Sequence, residues 1–103
     1  MKPFRLVLTE SAEADLRGIH DYIANEKASP VSAERFTRDL IEQLFEHAGK
    51  GLCGSPRDEV SPGLRGLPYR GRCFYFRVVE DSLVVVRVLN SKQDVAAQEF
   101  PEI

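Results

Sequence analysis

Two neighbouring apolar segments, at residues 73–79 and 83–89, constrain the fold of this chain more than any other feature. Both are rich in β-branched or aromatic residues, which favour the pleated surface of a strand. Only Glu80, Asp81 and Ser82 separate them, and a short polar connection of this kind is typical of a β-hairpin. The two segments therefore predict two adjacent antiparallel strands.

The length of the loop determines which residues share a face of the hairpin. A three-residue loop pairs Val79 with Leu83 and places Tyr75 opposite Arg87. The expected core face carries Phe74, Phe76 and Val78 with Val84, Val86 and Val88. The other face carries Cys73, Tyr75 and Arg77 with Val85, Arg87 and Leu89. We expect this second face to be an open surface of aromatic and arginine side chains.

Two amphipathic helices precede the hairpin. Residues 10–25 repeat apolar side chains at spacings of three and four, at Ala12, Leu16, Ile19 and Ile23. A second stripe comprises Ala33, Phe36, Leu40, Leu44 and Ala48. Thr9 and Ser29 are suited to cap the two helices, Pro30 suits the first position of the second helix, and Gly49 and Gly51 end it. Because neither helix can bury its stripe alone, the pattern predicts a helical hairpin that packs on another surface.

Shorter apolar segments complete the predicted sheet. Residues 4–8 predict a first strand, and residues 64–67 predict another after a loop at 49–63 that is rich in Gly, Pro and Ser. The predicted fold is α+β: an N-terminal strand and a helical hairpin packed on a small antiparallel sheet, in the order β-α-α-β-β-β. A chain of 103 residues is expected to form a single domain, residues 1–103.

The composition is that of a folded domain. Hydrophobic residues make up 43% of the chain and charged residues 29%, which excludes a disordered protein. No apolar run approaches a membrane span, and the first residues lack the apolar core of a signal peptide, so we expect a cytoplasmic location. Cys53 and Cys73 are expected to be reduced thiols, and neither they nor His20 and His47 have metal-ligand spacing. We expect no metal and no cofactor.

The net charge of −2 is unevenly distributed. Residues 50–92 hold 8 Lys or Arg and 4 Asp or Glu, a net charge of +4, whereas residues 1–49 and 93–103 each have a net charge of −3. Two interpretations stay open: a solvated surface with chance clustering, or a basic face that meets an anionic partner.

The second face of the hairpin is the most informative group of residues. Arginines on a rigid sheet could stabilise a phosphate during transfer, clamp the carboxylates of a protein partner, or have no role. Tyr, Arg and Leu on one sheet face are typical of the energetic centre of an interface, which favours binding. The candidate binding residues are Arg65, Tyr75, Arg77, Arg87, Leu89, Asn90 and Lys92, with Arg70 and Arg72 nearby.

Four sequence patterns occur in a recognisable order. The first is the helical pattern from Ala12 to Ile23, and the second is GSPRDEVSPGLR at residues 54–65. The third is YFRV at residues 75–78, and the fourth is RVLNSKQD at residues 87–94. Together they resemble the ParE/RelE toxin superfamily of bacterial toxin–antitoxin modules. The resemblance covers residues 4–95.

The resemblance fits the ParE branch better than the RelE branch. RelE-like toxins are ribosome-dependent mRNA endonucleases that need a Tyr, His or Lys near the C-terminus for proton transfer. The tail after Leu89 holds Asn90 and Lys92 but no Tyr or His, and Asn is not an acid–base group. Asn90 stands where many members have His, and Gln93 where many have Arg. The resemblance therefore implies a toxin that inhibits DNA gyrase and is not an enzyme.

The resemblance also implies the partners of the chain. A ParD-like ribbon–helix–helix antitoxin would neutralise the toxin in a hetero-oligomer, and only the antitoxin would contact operator DNA. We expect acidic side chains of the antitoxin to pair with Arg65, Arg77 and Arg87. The alternatives are a RelE-like ribosome-dependent mRNA endonuclease and an inactive homologue that still binds an antitoxin.

Overall fold

The computed structural model describes residues 2–102 and contains one five-stranded sheet with two helices on one face. The elements in chain order are β1 (Arg5–Leu8), α1 (Glu10–Glu26), α2 (Pro30–Gly49), β2 (Ser55–Pro56), β3 (Arg65–Tyr69), β4 (Arg72–Val79) and β5 (Ser82–Asn90), with a 3₁₀ turn at Val95–Ala97. The strand order is β1-β5-β4-β3-β2. The predicted α+β fold is confirmed. The two-residue β2 is an addition, and the sheet is mixed because β1 lies parallel to β5.

Local sequence explains where the two helices begin. Thr9 Oγ1 accepts a hydrogen bond from the N–H of Ala12 at 3.1 Å, and Ser29 Oγ accepts one from the N–H of Ser32 at 3.4 Å. Pro30 is the first residue of α2. These caps satisfy N–H groups that a first helical turn leaves without a partner. The predicted helix boundaries are confirmed to within a residue.

The helices bury their apolar stripes against one face of the sheet. Ala12 and Leu16 of α1 and Leu40 and Leu44 of α2 are buried in this core. The sheet contributes Phe74, Phe76, Leu83, Val85 and Val88. Each fully buried Leu or Phe side chain contributes about 1.5–3 kcal/mol to the free energy of folding. This core therefore sets the position of both helices on the sheet.

A β-bulge in the central hairpin changes the predicted pairing. As predicted, Tyr75 pairs with Arg87, and this register continues toward the start of β4. The next residue, Phe76, pairs with Val85, so Val86 is the extra residue on β5. The bulge turns Val84 and Val86 to the second face. The prediction had placed both on the core face, against the helices.

The bulge also shortens the hairpin loop. Val79 pairs with Ser82, so the predicted pairing of Val79 with Leu83 is wrong. Glu80 adopts a φ of 55°, the left-handed conformation that tight hairpin turns require. Val78, expected in the core, is 39% exposed.

The second face of the sheet, expected to be open, is covered. The loop before β3 and the C-terminal segment contribute Val60, Val95 and Phe100, which pack on it. The buried residues beneath them are Leu64, Cys73, Tyr75, Val84, Val86 and Leu89. The expectation of an open face is therefore wrong, because both faces of the central strands are apolar enough to need a covering layer.

The described residues were compared with the requirements of a membrane-spanning helix, a disulfide and a metal site. No helix within residues 2–102 is long and apolar enough to cross a membrane. Cys53 and Cys73 are free thiols, as expected, and Cys73 is buried. Among the same residues, no cluster of three or more His, Cys, Asp or Glu side chains could hold a metal ion.

Candidate partner-binding surface

The seven predicted binding residues occupy three environments. Tyr75 and Leu89 are buried, with 6% and 2% of their surface exposed. Burial raises the pKa of Tyr75 to about 12, so its hydroxyl stays neutral. Asn90 and Lys92 are exposed at the end of β5 and just beyond it. The remaining three, Arg65, Arg77 and Arg87, are held by other parts of the chain.

Arg87 forms a two-point hydrogen bond with Asp15 of α1. Its Nε and Nη2 donate to the carboxylate at 2.7 and 3.0 Å, and both side chains are 16% exposed. The hydrogen bond that Arg87 donates to Asp15 raises the pKa of Arg87. The same carboxylate accepts the N–H of Val88 at 2.9 Å. Because β1 ends at Leu8, the edge of β5 has no strand partner at Val88. The Asp15 carboxylate accepts the backbone N–H that a neighbouring strand would otherwise bind.

Arg77 connects the loop before β3 to the C-terminal segment. Its Nη1 donates to the Pro62 carbonyl at 2.9 Å, and its Nη2 donates to Ser61 Oγ at 2.9 Å. Its Nε donates to the Pro101 carbonyl at 3.0 Å. Arg87 also donates to a backbone carbonyl of the C-terminal segment, at 2.9 Å. Both arginines therefore bind the C-terminal segment that packs on the second face of the sheet.

Arg65 fixes the segment between α2 and β3. Its Nε and Nη2 donate to the carbonyls of Cys53 and Gly54 at 2.7 and 3.1 Å. The N–H of Gly54 donates to Nε2 of His47 at 3.0 Å. His47 is buried, and this burial lowers its pKa below the ordinary value of 6.5. The neutral imidazole is the form that can accept this hydrogen bond.

Asn90 and Lys92 line a cavity of about 550 Å³ between α1 and the end of β5. Ile19 and Val88 form part of its apolar wall, and the half-exposed Tyr22 also lines it. The other lining residues are Ala14, Asp15, Gly18, Arg72 and Gln93. Two of the predicted binding residues therefore lie in a concave site with an apolar wall.

A second cavity, of about 540 Å³, lies beside the first, toward the turn between the helices. The ring of Phe36 contacts one guanidinium group of each cavity. The guanidinium of Arg72, in the first cavity, lies 5.5 Å from the ring centroid, and that of Arg70, in the second, lies 5.2 Å from it. The other lining residues are Ile23, Lys27, Ser29, Ser32 and Arg35. The two cavities together are called the cationic groove below.

The cationic groove carries positive charge that the chain itself does not neutralise. Asp15 is bound by Arg87, and Asp39 is bound by Arg70 and by the Tyr69 hydroxyl. Within residues 2–102, four cations of the groove have no carboxylate partner: Lys27, Arg35, Arg72 and Lys92. The Nε of Arg72 is buried and lacks any hydrogen-bond partner among these residues. The groove therefore favours a negatively charged partner.

Sequence reasoning identified one side of this groove and missed the other. Asn90 and Lys92 belong to the predicted set, and Arg72 was expected near it. Tyr22 and Gly18 of α1 were missed, although a glycine and an exposed aromatic residue one turn apart are unusual for a solvated helix face. That spacing was the signal that could have located this side.

A helical hairpin on one face of a small sheet is an architecture found in toxin–antitoxin complexes. A chain of the chromosomal ParDE toxin–antitoxin system from P. aeruginosa is similar to this one, with a TM-score of 0.69 and 26% identity, over 84% of this chain and 95% of that chain. A chain of the RelBE2 toxin–antitoxin complex from Mycobacterium tuberculosis shares the fold, with a TM-score of 0.67 and 18% identity, over 90% and 97%. No curated protein sequence matches this chain.

Residues 6–95 match the family described as ParE toxin of type II toxin–antitoxin system, parDE. The chain belongs to this family, and it is the toxin component of a type II toxin–antitoxin system. The resemblance carried by the four sequence patterns is therefore confirmed.

Proposed function

We propose that this toxin inhibits DNA gyrase without an enzymatic activity of its own, and that a ParD-like ribbon–helix–helix antitoxin neutralises it in a cytoplasmic hetero-oligomer. The match of residues 6–95 to the ParE toxin family carries the proposal. Operator DNA is contacted only by the antitoxin in this scheme.

The chemistry at the end of β5 supports a toxin that acts by binding. Asn90 stands where the resemblance places an acid–base residue of many relatives, and its amide cannot transfer protons at neutral pH. Its Oδ1 accepts the N–H of Lys92 at 2.9 Å, so it stabilises a turn. Asp15, the carboxylate in the groove, is already bound by Arg87 and by a backbone N–H.

One observation favours a second candidate, a RelE-like ribosome-dependent mRNA endonuclease. The cationic groove contains Arg72 and Lys92, which could bind a phosphate, beside the hydroxyl of Tyr22. An inactive homologue that still binds the antitoxin is the third candidate.

A supercoiling assay with purified gyrase tests the proposal. We expect the toxin to block supercoiling, and we expect an equimolar amount of the antitoxin, obtained by co-expressing the neighbouring open reading frame, to restore it. Cleavage of mRNA in a translating extract, with gyrase unaffected, would instead establish the endonuclease. Failure of both assays with tight antitoxin binding would identify an inactive homologue.

A further inference from the structure

We propose that the first cavity of the cationic groove, between α1 and the end of β5, binds a small phosphomonoester that carries a flat organic ring. This inference goes beyond the proposed function, because it depends neither on gyrase nor on the antitoxin. The cavity has a volume of about 550 Å³. Cavities of this size bind organic molecules, whereas a bare ion needs far less space.

Two cations line the cavity near the ends of the central strands. Arg72 begins β4 and pairs across the strands with Asn90, and Lys92 follows Asn90 by two residues. Neither cation has a carboxylate partner within residues 2–102. The Nε of Arg72 is also buried and lacks a hydrogen-bond partner among these residues, so its desolvation is not compensated. A bound dianion would neutralise both charges.

Two amide side chains add hydrogen-bond donors to these cations. Oδ1 of Asn90 accepts the N–H of Lys92 at 2.9 Å, and Oε1 of Gln93 accepts the N–H of Asn90 at 2.7 Å. Because a backbone N–H binds to the oxygen of a side-chain amide, these contacts determine which atom of each amide the turn uses. The NH₂ groups of Asn90 and Gln93 are therefore the amide atoms left for a ligand in the cavity that both residues line.

The carboxylate that lines the cavity is already occupied. Asp15 accepts two hydrogen bonds from Arg87 and one from the N–H of Val88. The cavity therefore offers N–H donors and two positive charges. A phosphomonoester has three acceptor oxygens and a charge of about −1.5 to −2 at neutral pH, which matches this set. A carboxylate has two oxygens and one charge, so it matches less well.

The α1 side of the cavity suits a flat ring. Tyr22 presents a half-exposed aromatic ring, and Ile19 is an apolar neighbour. Gly18 is exposed, and a Cβ built on it would meet no atom of the described chain within 4 Å. Packing within the chain gives no reason for a glycine here, although glycine weakens a helix. It leaves bare backbone beside Tyr22, where a ring stacked on the tyrosine can lie.

The surroundings of the cavity favour a small ligand over a nucleic acid strand. Helix α1 carries five carboxylates and one arginine, which repel a polyanion that extends past the cavity. Proteins that bind single strands present a series of exposed aromatic rings, and Tyr22 is the one half-exposed ring in the described groove. A single phosphate group contacts only the strand ends, where the positive charge is concentrated.

Binding of adenosine monophosphate to the purified full-length toxin is the first test. We expect a dissociation constant below about 1 mM in calorimetry. Adenosine, which lacks the phosphate, and inorganic phosphate, which lacks the ring, should each bind at least tenfold more weakly. Phenyl phosphate should bind at least tenfold more tightly than benzoate, which has the same ring and a carboxylate head group.

Two substitutions test the two parts of the cavity. Lys92→Gln removes a charge and keeps the backbone N–H that binds Asn90, and it should weaken adenosine monophosphate binding at least tenfold. Gly18→Gln should also weaken it at least tenfold, because the side chain fills the space of the ring. Gly18→Gln should raise the Tm of the free toxin, since Gln favours a helix, so a loss of binding is separate from a loss of folding.

Matched controls lie outside the groove. Lys50→Gln removes the same charge from an exposed position on the last turn of α2. Gly49→Gln is the control for Gly18, because this glycine is also exposed and has no atom within 4 Å of a built Cβ. Both controls should bind adenosine monophosphate within twofold of wild type.

The side-chain amide signals in ¹H–¹⁵N NMR spectra locate the bound phosphate. Addition of adenosine monophosphate should shift the NH₂ signals of Asn90 and Gln93. The chain has three other such side chains, Asn25, Gln43 and Gln98, none of which lines the cavity. Their signals should stay in place, which makes them internal controls.

Each contrary result overturns a stated part of the inference. If no probe binds, or if all variants bind adenosine monophosphate as wild type does, the cavity is not the proposed site. Equal binding of adenosine monophosphate and inorganic phosphate would exclude the ring, and equal binding of phenyl phosphate and benzoate would exclude the phosphate preference. If Lys92→Gln and Gly18→Gln instead lose binding to a single-stranded RNA oligonucleotide and no mononucleotide binds, the cavity is a nucleic-acid site.

Discussion

Asp15 of α1 accepts two hydrogen bonds from the guanidinium of Arg87, and these two residues join the first helix to the unpaired edge of β5. The same carboxylate accepts the N–H of Val88, which has no strand partner because β1 ends at Leu8. One side chain therefore pairs with a half-buried cation and with an unpaired sheet edge. It does so at the wall of the cationic groove.

We expect Asp15→Asn to lower the free energy of unfolding by about 3 kcal/mol, because it leaves the half-buried Arg87 without a counter-charge. Urea denaturation measures this loss. Asp21→Asn is the matched control on the same helix, at an exposed carboxylate, and should change stability by less than about 0.5 kcal/mol. A loss for Asp15→Asn as small as that of the control would mean that the ion pair contributes little.

We expect Phe100→Ala to loosen the C-terminal segment from the second face. The ring packs edge-on against Tyr75 at a centroid distance of 5.0 Å, and it is partly buried. Its removal should cost about 2 kcal/mol, less than a fully buried Phe. Hydrogen exchange should become faster for the amides of residues 95–102 in particular. Phe45→Ala, at a ring that is 60% exposed, should leave that exchange unchanged.

Two glycines with positive φ should respond differently to alanine. Gly71 has a φ of 77° and open space around a built Cβ, so Gly71→Ala should cost about 1–2 kcal/mol from backbone strain alone. Gly54 has a φ of 63°, and its Cβ would lie 2.3 Å from the Gly66 carbonyl oxygen. We expect Gly54→Ala to cost about 3 kcal/mol or more, since a clash is added to the strain. Equal losses in thermal unfolding would contradict this explanation.

We expect the free energy of unfolding to decrease as the pH falls, because His47 becomes protonated. Burial lowers its pKa in the folded state, so the unfolded chain binds the proton more tightly. Stability is therefore complete above the unfolded pKa of 6.5 and is lost as the pH falls from there through the lowered folded value. Protonation also removes the acceptor for the N–H of Gly54. His47→Gln should flatten the stability curve between about pH 7.5 and 5.5; a curve of unchanged slope would exclude His47 as the cause.

Local patterns in the sequence predicted the elements well. The caps at Thr9 and Ser29, the apolar spacing of both helices and the two central strands depend on neighbours within a few residues, and all are confirmed. The ParE-like patterns along residues 54–65 and 87–94 similarly led to the family.

The covering of the second face could not be predicted from these patterns. Residues 83–86 are apolar at every position, so a period of two does not distinguish one face from the other, and the bulge at Val86 leaves no trace in the sequence. The continuous run did indicate a strand buried on both sides. That signal was outweighed by Arg77 and Arg87, which suggested an open face.

By itself, the sequence determined the helices, the central strands, the order of elements and the family, because capping, periodicity and turn formation are local. The tertiary structure alone decided which side chains are available to a partner. Arg77 and Arg87 are taken up by a C-terminal segment and by Asp15, which is 72 residues away from Arg87 in the chain. The cationic groove forms where α1 meets the ends of β4 and β5 and the first turns of α2, because charges become neighbours through packing between elements distant in sequence.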